Sequence, residues 1–445
     1  MLKGYLEVPD RKTLAIFDKV NFSELRKGLF GGIVDQGYPG SKMEDISLVP
    51  RILPRSYVNI IENVCLKLTK ALLKISELEQ DILIKHLVPD SRWEKLVDLG
   101  VLDRAPDRMV GELRYDFALC GPLTQENPPR VMEVNAGALG GIVYASLIPK
   151  LLKRIVPDLD HLTFPNLAKD SIEFYKRLGG RIANFVLGEY SWGEDVLATA
   201  AEDIIDFLLV TPVEVPCKGI WPKLINADYH FSDDRRLQVQ HNGRWCSMDG
   251  FRWSRVLEHK DIDRFGRFLK EVQDSDTIFI SPLRMDFVCH KGVLPLLCNT
   301  SFLRNIGCEE ADDIARFVPR SWNVSEIGLP SYQERKKFVL KQNFGCSGNK
   351  VFVGRAMDEM ERKIDNPQEW ILQERLELNQ MYARFLYSQD QAMRMDLGVF
   401  VQYEYEKGRL IYHKMCGLIT RGAQRYRVNL NLGGACIPVF VNESE

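Results

Sequence analysis

Two short polar patterns interrupt otherwise apolar sequence within residues 111–141, GELRYDFALCGPLTQENPPRVMEVNAGALGG: Arg114-x-Asp116-Phe117 and Glu133-Val134-Asn135. A Gly/Pro/Asn-rich break separates them, so the stretch reads as strand, turn, strand. Side chains two apart in a strand share a face. Arg114 therefore points with Asp116 and Glu133 with Asn135, while Tyr115, Phe117, Met132 and Val134 point the other way. A hairpin would gather two carboxylates, an amide and a guanidinium in one small area. Hard oxygen donors of this kind suit Mg²⁺, which typically takes one or two carboxylates plus the phosphate oxygens of a nucleotide. The pattern fits equally an Arg–Asp salt bridge beside a solvent-facing Glu and Asn, and these residues alone do not separate the two.

Further groups with chemical potential follow. Lys291 lies in apolar sequence within 278–299, where an ammonium must snorkel or meet an anion, either a structural carboxylate or a phosphate. In 338–354, FVLKQNFGCSGNKVFVG, Lys341 precedes a glycine-containing loop that includes Gly345, Ser347 and Gly348. A Walker loop places its lysine after the glycines and opens a helix; here the lysine comes first and both flanks read as β. Such a hairpin can lay glycine amides on phosphates, with Lys341 as a point charge, and it is also simply a glycine-rich hairpin. WILQERLEL at 370–378 reads as a strand ending at Gln373-Glu374, the way a hinge presents backbone to an adenine edge, with Glu377 near enough for a ribose hydroxyl. Arg421 stands amid strand sequence near the end of the chain.

The elements that must position these groups alternate between helix and strand. Apolar residues at Val58, Ile61, Val64, Leu66, Leu68, Leu72, Leu73, Ile75, Leu78 and Ile82 repeat near 3.6 over 55–87, and Ser91-Arg-Trp-Glu94 resembles a capping box. Residues 1–110 are thus expected to be mostly helical. Gly137, Gly140 and Gly141 form a tight turn into a helix over 142–155, and an amphipathic helix is expected over 170–187 with Gly179-Gly180 as its weak point. Segments 203–210 and 213–215 continue the alternation. Residues 235–250 read as a hairpin turning at Asn242-Gly243, with strands at 395–405 and 409–415 further on. RMDF at 284–287 echoes RYDF at 114–117, but Leu297 stands where a Glu would have to precede Asn299, and the echo is read as coincidence.

Composition narrows the function classes. The chain has 445 residues, 45% hydrophobic and 27% charged, with 59 basic against 61 acidic residues and a net charge of −2. That is room for two or three domains, without a global field that calls for nucleic acid or an anionic membrane. No apolar run approaches the roughly 20 residues a membrane helix needs, and the first residues show no signal-peptide pattern. The ten cysteines and seven histidines lack CxxC or zinc spacing, so reduced buried thiols and a cytoplasmic setting are expected.

Taken in order, RYDF…MEVN, HKGVLPLL, VLKQNFGCSGNKV, ILQERLEL and GLITR…VNLNLGGACIPVFV resemble the synthetase part of glutathionylspermidine synthetase, a circularly permuted ATP-grasp ligase. The resemblance covers roughly residues 110–441, weakly between 155 and 275. It implies an α/β (α+β) ATP-grasp fold with antiparallel sheets flanked by helices: a helical N-terminal region over 1–110, a metal-ligand hairpin and central substrate domain over 111–275, and a nucleotide-binding region over 276–445. It also implies roles. Asp116, Glu133 and Asn135 match the family's Mg²⁺ ligands, and Arg114 the arginine facing the transferred phosphate. Lys291 and Lys341 match the two ATP-phosphate lysines, Gly345 to Gly348 the loop over the phosphates, Gln373 and Glu374 the adenine segment, and Arg421 the end of the nucleotide site. The loop departs from the family in reading Gly-Cys-Ser-Gly where a charged residue is usual, and no N-terminal amidase is found.

The implied cofactors are ATP and Mg²⁺, and the implied partners are a small-molecule carboxylate and an amine of the amino-acid, peptide or polyamine class. Carboxylate attack on the γ-phosphate gives ADP and an acyl phosphate, which the amine then displaces. An ATP-grasp phosphotransferase, acyl transfer to a carrier-protein thiol and a non-catalytic nucleotide-binding protein are the alternative readings.

Overall fold

A computed structural model describes residues 5–7, 15–17, 19–21, 23–25, 27–28, 45–88, 91–103, 107–136, 142–179, 185–188, 229–241, 244–247, 250–253, 262–344, 350–354, 356–361, 363–384, 391–424 and 434–444. The strands that frame the site are, in chain order, β1 (Arg108–Ala118), β2 (Arg130–Ala136), β3 (Ser321–Asn323), β4 (Phe338–Gln342) and β5 (Val351–Val353). They continue with β6 (Trp370–Glu374), β7 (Gln391–Glu406), β8 (Arg409–Ala423) and β9 (Ala435–Ile437). The fold is mixed α/β, with largely antiparallel sheets flanked by helices. A ten-stranded sheet contains the run β9–β8–β7–β1, with β2 also paired to β1; β3–β6–β4–β5 form a separate four-stranded antiparallel sheet.

Register decides which side chains meet. Phe400 lies opposite Arg114 and Gly398 opposite Asp116 across β7 and β1; Asn135 lies opposite Arg114 and Glu133 opposite Asp116 across β1 and β2. The expected hairpin is therefore present, in the register that puts its polar residues on one face. The other face carries Leu113, Tyr115, Phe117, Leu397, Val399 and Val401. It packs in the main core with the helix α1 (Arg55–Ser76), whose buried Val58, Ile61, Val64, Leu68 and Leu72 belong to the stripe read from the sequence; that stripe breaks after Ser76 into a second helix, Gln80–His86, where Ile82 is exposed. The polar face is partly covered by α2 (Ile142–Ile155), which shares a second core with Phe400, Ile419 and Cys436. Next along the chain, α3 (Leu167–Gly179) brings Ser171 to the buried Glu112 at 3.2 Å and Asp170 to Lys414 at 2.8 Å.

Several expectations change. Of the helix expected over 170–187, Leu167–Gly179 is helical, while Phe185–Gly188 is a strand parallel to Gly250–Trp253; Gly180 lies outside the described residues. The first 110 residues also contain the strands Asp45–Ile46 and Arg51–Pro54 besides their helices. β7 and β8 run well past the expected 395–405 and 409–415. RMDF lies in the helix α4 (Leu283–Val288), where Arg284 donates to the carbonyls of Ser76, Leu78 and Leu102. It shares no backbone form with the RYDF strand. The 235–250 hairpin forms from Leu237–His241 and Arg244–Ser247, with Trp245 exposed against His230 at 4.2 Å between ring centroids. Its Asn242-Gly243 turn, Gly137, Gly140, Gly141 and 203–215 lie outside the described residues. Among those described, no helix is long and apolar enough to cross a membrane.

Candidate active site

Asp116 is the hub. It is buried at 2% relative exposure, and Arg114, two residues back on the same strand face, reaches it with Nε at 2.8 Å and a terminal nitrogen at 3.1 Å. Arg421 arrives from β8 at 2.9 Å, and the Asn135 amide nitrogen from β2 at 3.3 Å. Burial alone would raise the Asp116 pKa, but the two guanidiniums outweigh it and hold the carboxyl down at about 2. Arg421 is shared. Its Nε lies 3.0 Å from Asp396 Oδ2, a terminal nitrogen bonds the same oxygen, and its backbone N–H donates to Oδ1 at 3.1 Å. Asp396 is 1% exposed. Burial pushes its pKa up, with the negative charge of Asp116 adding to this and Arg421 opposing it. Burial disfavours the charge on Arg421, and the two aspartates more than offset that, raising its pKa.

Gly398 makes this packing feasible. It sits opposite Asp116 in β7, and a Cβ there would lie 2.7 Å from an Ile419 methyl and 3.5 Å from both Arg114 Cδ and Asp116 Oδ1. The close approach that a side chain would prevent is to Ile419, while Arg114 and Asp116 lie at ordinary contact distance.

The lysines approach from the β2 side. Lys291 Nζ pairs with Glu133 Oε1 at 2.8 Å. Lys341, on the face of β4 shared with Ile371 and Gln373 of β6, donates to the Met132 carbonyl at 3.0 Å and to Gln373 Oε1 at 2.7 Å. Gln373 in turn donates to Ser321 Oγ at 3.1 Å. Burial, with Lys291 adding to it, lowers Lys341 to about 8 despite the pull of Glu133 and Asp116. One backbone bond fixes the two lysine segments together: Lys291 N–H donates to Asn343 O at 3.1 Å. The His290 ring packs on Phe344 at 4.1 Å, and its Nδ1 accepts from Gly292 N–H at 2.9 Å. Burial and the neighbouring Lys291 lower His290 to about 3, so the ring is neutral. A Cβ at Gly292 would stand 2.4 Å from that ring.

The structure thus gathers Arg114, Asp116, Glu133, Asn135, Lys291, Lys341, Gln373 and Arg421 into one cluster. Gly345, Ser347 and Gly348 lie outside the described residues. Glu374 points elsewhere: it shares its face of β6 with Leu372, away from Lys341, and its amide donates to Arg320 O at 2.7 Å. The next amide, Arg375, donates to Lys337 O at 2.8 Å. On that outer face, Trp322, Phe338, Glu374, Arg375 and Glu377 help line an open cavity of about 470 Å³.

Asp396 is the member that sequence reasoning missed. It stands in MRMDLGVF, where Arg394-x-Asp396 repeats the spacing of Arg114-x-Asp116. That repeat, and an aspartate in an otherwise apolar strand run, which has to find a cation, were the available signals.

A divalent metal tests the donor set differently at each residue. Glu133 is about 29% exposed and has one hydrogen-bonded cation, Lys291. Asn135 sits two residues on, on the same face, with its amide nitrogen turned to Arg114 O and Asp116. These two fit a Mg²⁺ ion that takes its remaining ligands from phosphate and water. Among the described residues no group of three or more His, Cys, Asp or Glu is arranged to hold a metal.

No protein-family model matches the chain, and no curated protein matches it. Among solved structures, a glutathione synthetase-like effector (GSS30) from Globodera pallida, in its apo form, matches with a TM-score of 0.67. The match covers 99% of this chain and 100% of that one, at 12% sequence identity. The two share a fold. At that identity the likeness speaks for the fold alone, and it extends from end to end rather than over one segment.

Proposed function

We propose that the chain is an ATP-dependent ligase on a circularly permuted ATP-grasp scaffold, of the glutathionylspermidine synthetase type. It activates a carboxylate as an acyl phosphate and condenses it with an amine. The observation that carries this reading is the convergence of Lys291 and Lys341 on the Met132–Glu133 edge of β2, in one cluster with Arg114 and Arg421. Four mostly buried cations stand against three carboxylates, Lys341 bonding only Met132 O and Gln373 Oε1, and such an excess of buried positive charge is costly unless an anion uses it. The glutathione synthetase-like fold of the effector supports the same reading.

The protein has little covalent work to do in such a reaction. A substrate carboxylate oxygen attacks the γ-phosphorus, the bond from that phosphorus to the bridging oxygen breaks, and ADP leaves. The amine nitrogen then attacks the acyl carbon, the carbon–oxygen bond to phosphate breaks, and phosphate departs as the nitrogen loses its proton. Lys291 and Lys341 place fixed positive charge on the phosphates, and Arg114 on the group in transfer. Glu133 and Asn135 would hold Mg²⁺, which when bound neutralises phosphate charge. The near-complete burial of Lys341 keeps that interaction away from bulk water, and it is worth more there than it would be in water.

The test is phosphate release from ATP and Mg²⁺ with pooled amino acids, short peptides and polyamines, with mass spectrometry of the products. ADP, phosphate and a condensation mass are expected. A stable phosphorylated product without an amide would replace the ligase by a phosphotransferase, and no nucleotide binding would overturn the reading.

A further inference from the structure

Asp116 already meets four donors, one on Oδ1 and three on Oδ2. An ionised carboxylate offers about four lone-pair sites. Arg114 Nε occupies Oδ1 at 2.8 Å, and Oδ2 takes the Arg114 terminal nitrogen at 3.1 Å, Arg421 at 2.9 Å and the Asn135 amide at 3.3 Å. Asp116 is also nearly closed to water, its side chain 3% exposed. A metal ion bonded to the crowded Oδ2 would displace a guanidinium or the Asn135 amide, and a buried charge stripped of its partner is strongly unfavourable. Glu133, on the neighbouring strand, is about 29% exposed and has Lys291 as its paired cation.

Asp396 has the same character. It bonds Arg421 through side chain and backbone together, and it is held from behind. Arg51, 1% exposed, donates to the Asp396 carbonyl and to Thr420 Oγ1, both at 3.2 Å, while its Nε pairs with Glu7 at 2.8 Å. The aspartates thus form a rigid seat for two arginines, and the seat is anchored in the interior.

We propose that Asp116 and Asp396 are positioning residues that seat Arg114 and Arg421, and that Asp116 acts on these guanidiniums and not on a metal ion. The surface this seat offers is an arginine pair, suited to a carboxylate or phosphoryl group. Metal holding is left to Glu133 and Asn135. The metal part of this assignment rests on the nucleotide reading above; the seating of the arginines does not.

Two measurements separate the cases. In protein labelled with ¹⁵N at arginine, without any ligand, Arg114 and Arg421 should give slowly exchanging Nε–H signals. Asp396→Asn should speed exchange at Arg421, and Asp116→Asn at Arg114. Glu133→Gln should leave both slow. Fast exchange at both arginines in the unmodified protein overturns the seat whatever the nucleotide result. The second measurement is electron paramagnetic resonance of Mn²⁺ with a non-hydrolysable ATP analogue. Glu133→Gln should lower Mn²⁺ affinity by about tenfold to a hundredfold, and Asp116→Asn by clearly less. Equal losses in the two variants overturn the assignment. If Asp116→Asn does not fold, the milder Asp396→Asn and the unmodified spectrum still decide the seat. Absence of any analogue binding counts against the ligase reading, and the exchange data stand apart from it.

Discussion

Burial and the neighbouring Lys291 lower Lys341 to about 8 from an ordinary 10.5, which sets two pH effects of opposite sense. The folded chain binds the Lys341 proton less tightly than the unfolded chain, so this residue's contribution to stability rises with pH between about 8 and 10.5. Phosphate binding needs the ammonium. Nucleotide affinity should therefore fall by up to about tenfold per pH unit above 8, as one proton must be restored for each anion bound. Calorimetric titration across that range checks this, and Lys341→Arg, which stays charged, should flatten the decline. At fixed pH, Lys341→Ala and Glu133→Gln should each lower ADP formation about 10²–10³-fold, the scale on which a preorganised electrostatic stabiliser acts, while circular dichroism remains native. Turnover at the unmodified level in either variant would remove these residues from the site.

At the scale of elements, the site depends on a glycine as much as on charges. Gly398→Ala would place a methyl 2.7 Å from Ile419 and against Arg114 and Asp116. Overpacking of that kind costs about 1–3 kcal/mol, and here it should also weaken nucleotide binding. Gly111→Ala, on the opposite face of β1, would meet the Tyr403 ring, its hydroxyl 2.5 Å from the new carbon. It should cost stability on the same scale but leave binding intact. Denaturant midpoints and binding constants on the two variants test the contrast. Much of this layer was legible beforehand. The β1–β2 hairpin announces itself by alternation around a turn, and Lys341 by strands flanking its glycines. Asp396 and Gly398 were not legible, because their meaning lies in the register of β7 against β1, a contact between segments nearly 300 positions apart in the chain. Glu374 shows the reverse limit: adjacency to Gln373 suggested a shared site, and strand alternation places the two on opposite faces.

For the whole molecule, the informative link is the one between Glu7 and the centre. Glu7 pairs its backbone N–H with Gln380 O at 2.8 Å, receives the Asn379 amide at 2.7 Å and neutralises Arg51, which touches the Asp396 backbone. Glu7→Ala leaves a buried guanidinium without its carboxylate, a loss of about 3–5 kcal/mol. Urea unfolding should show it, together with weaker nucleotide binding, because the strand that carries Asp396 loses its backing. An unchanged midpoint would mean that the earliest described residues are not coupled to the site at all.

The cluster comes within one charge of neutralising itself: three carboxylates stand against four cations, with Lys341 bonded to Met132 O and Gln373 Oε1. Asp116, Glu133 and Asp396 each face a guanidinium or an ammonium within about 3 Å, and the chain as a whole carries only −2. Opposite charges set so close cancel at a distance, and beyond a Debye length of about 8 Å little field survives to draw an anion in. The encounter between this protein and a nucleotide should then be a matter of diffusion and fit rather than of attraction. Its association rate, followed by stopped-flow fluorescence, should change by no more than a few-fold as ionic strength rises, whereas the dissociation rate, governed by contacts made after the ion pairs have exchanged partners, should carry most of the salt dependence.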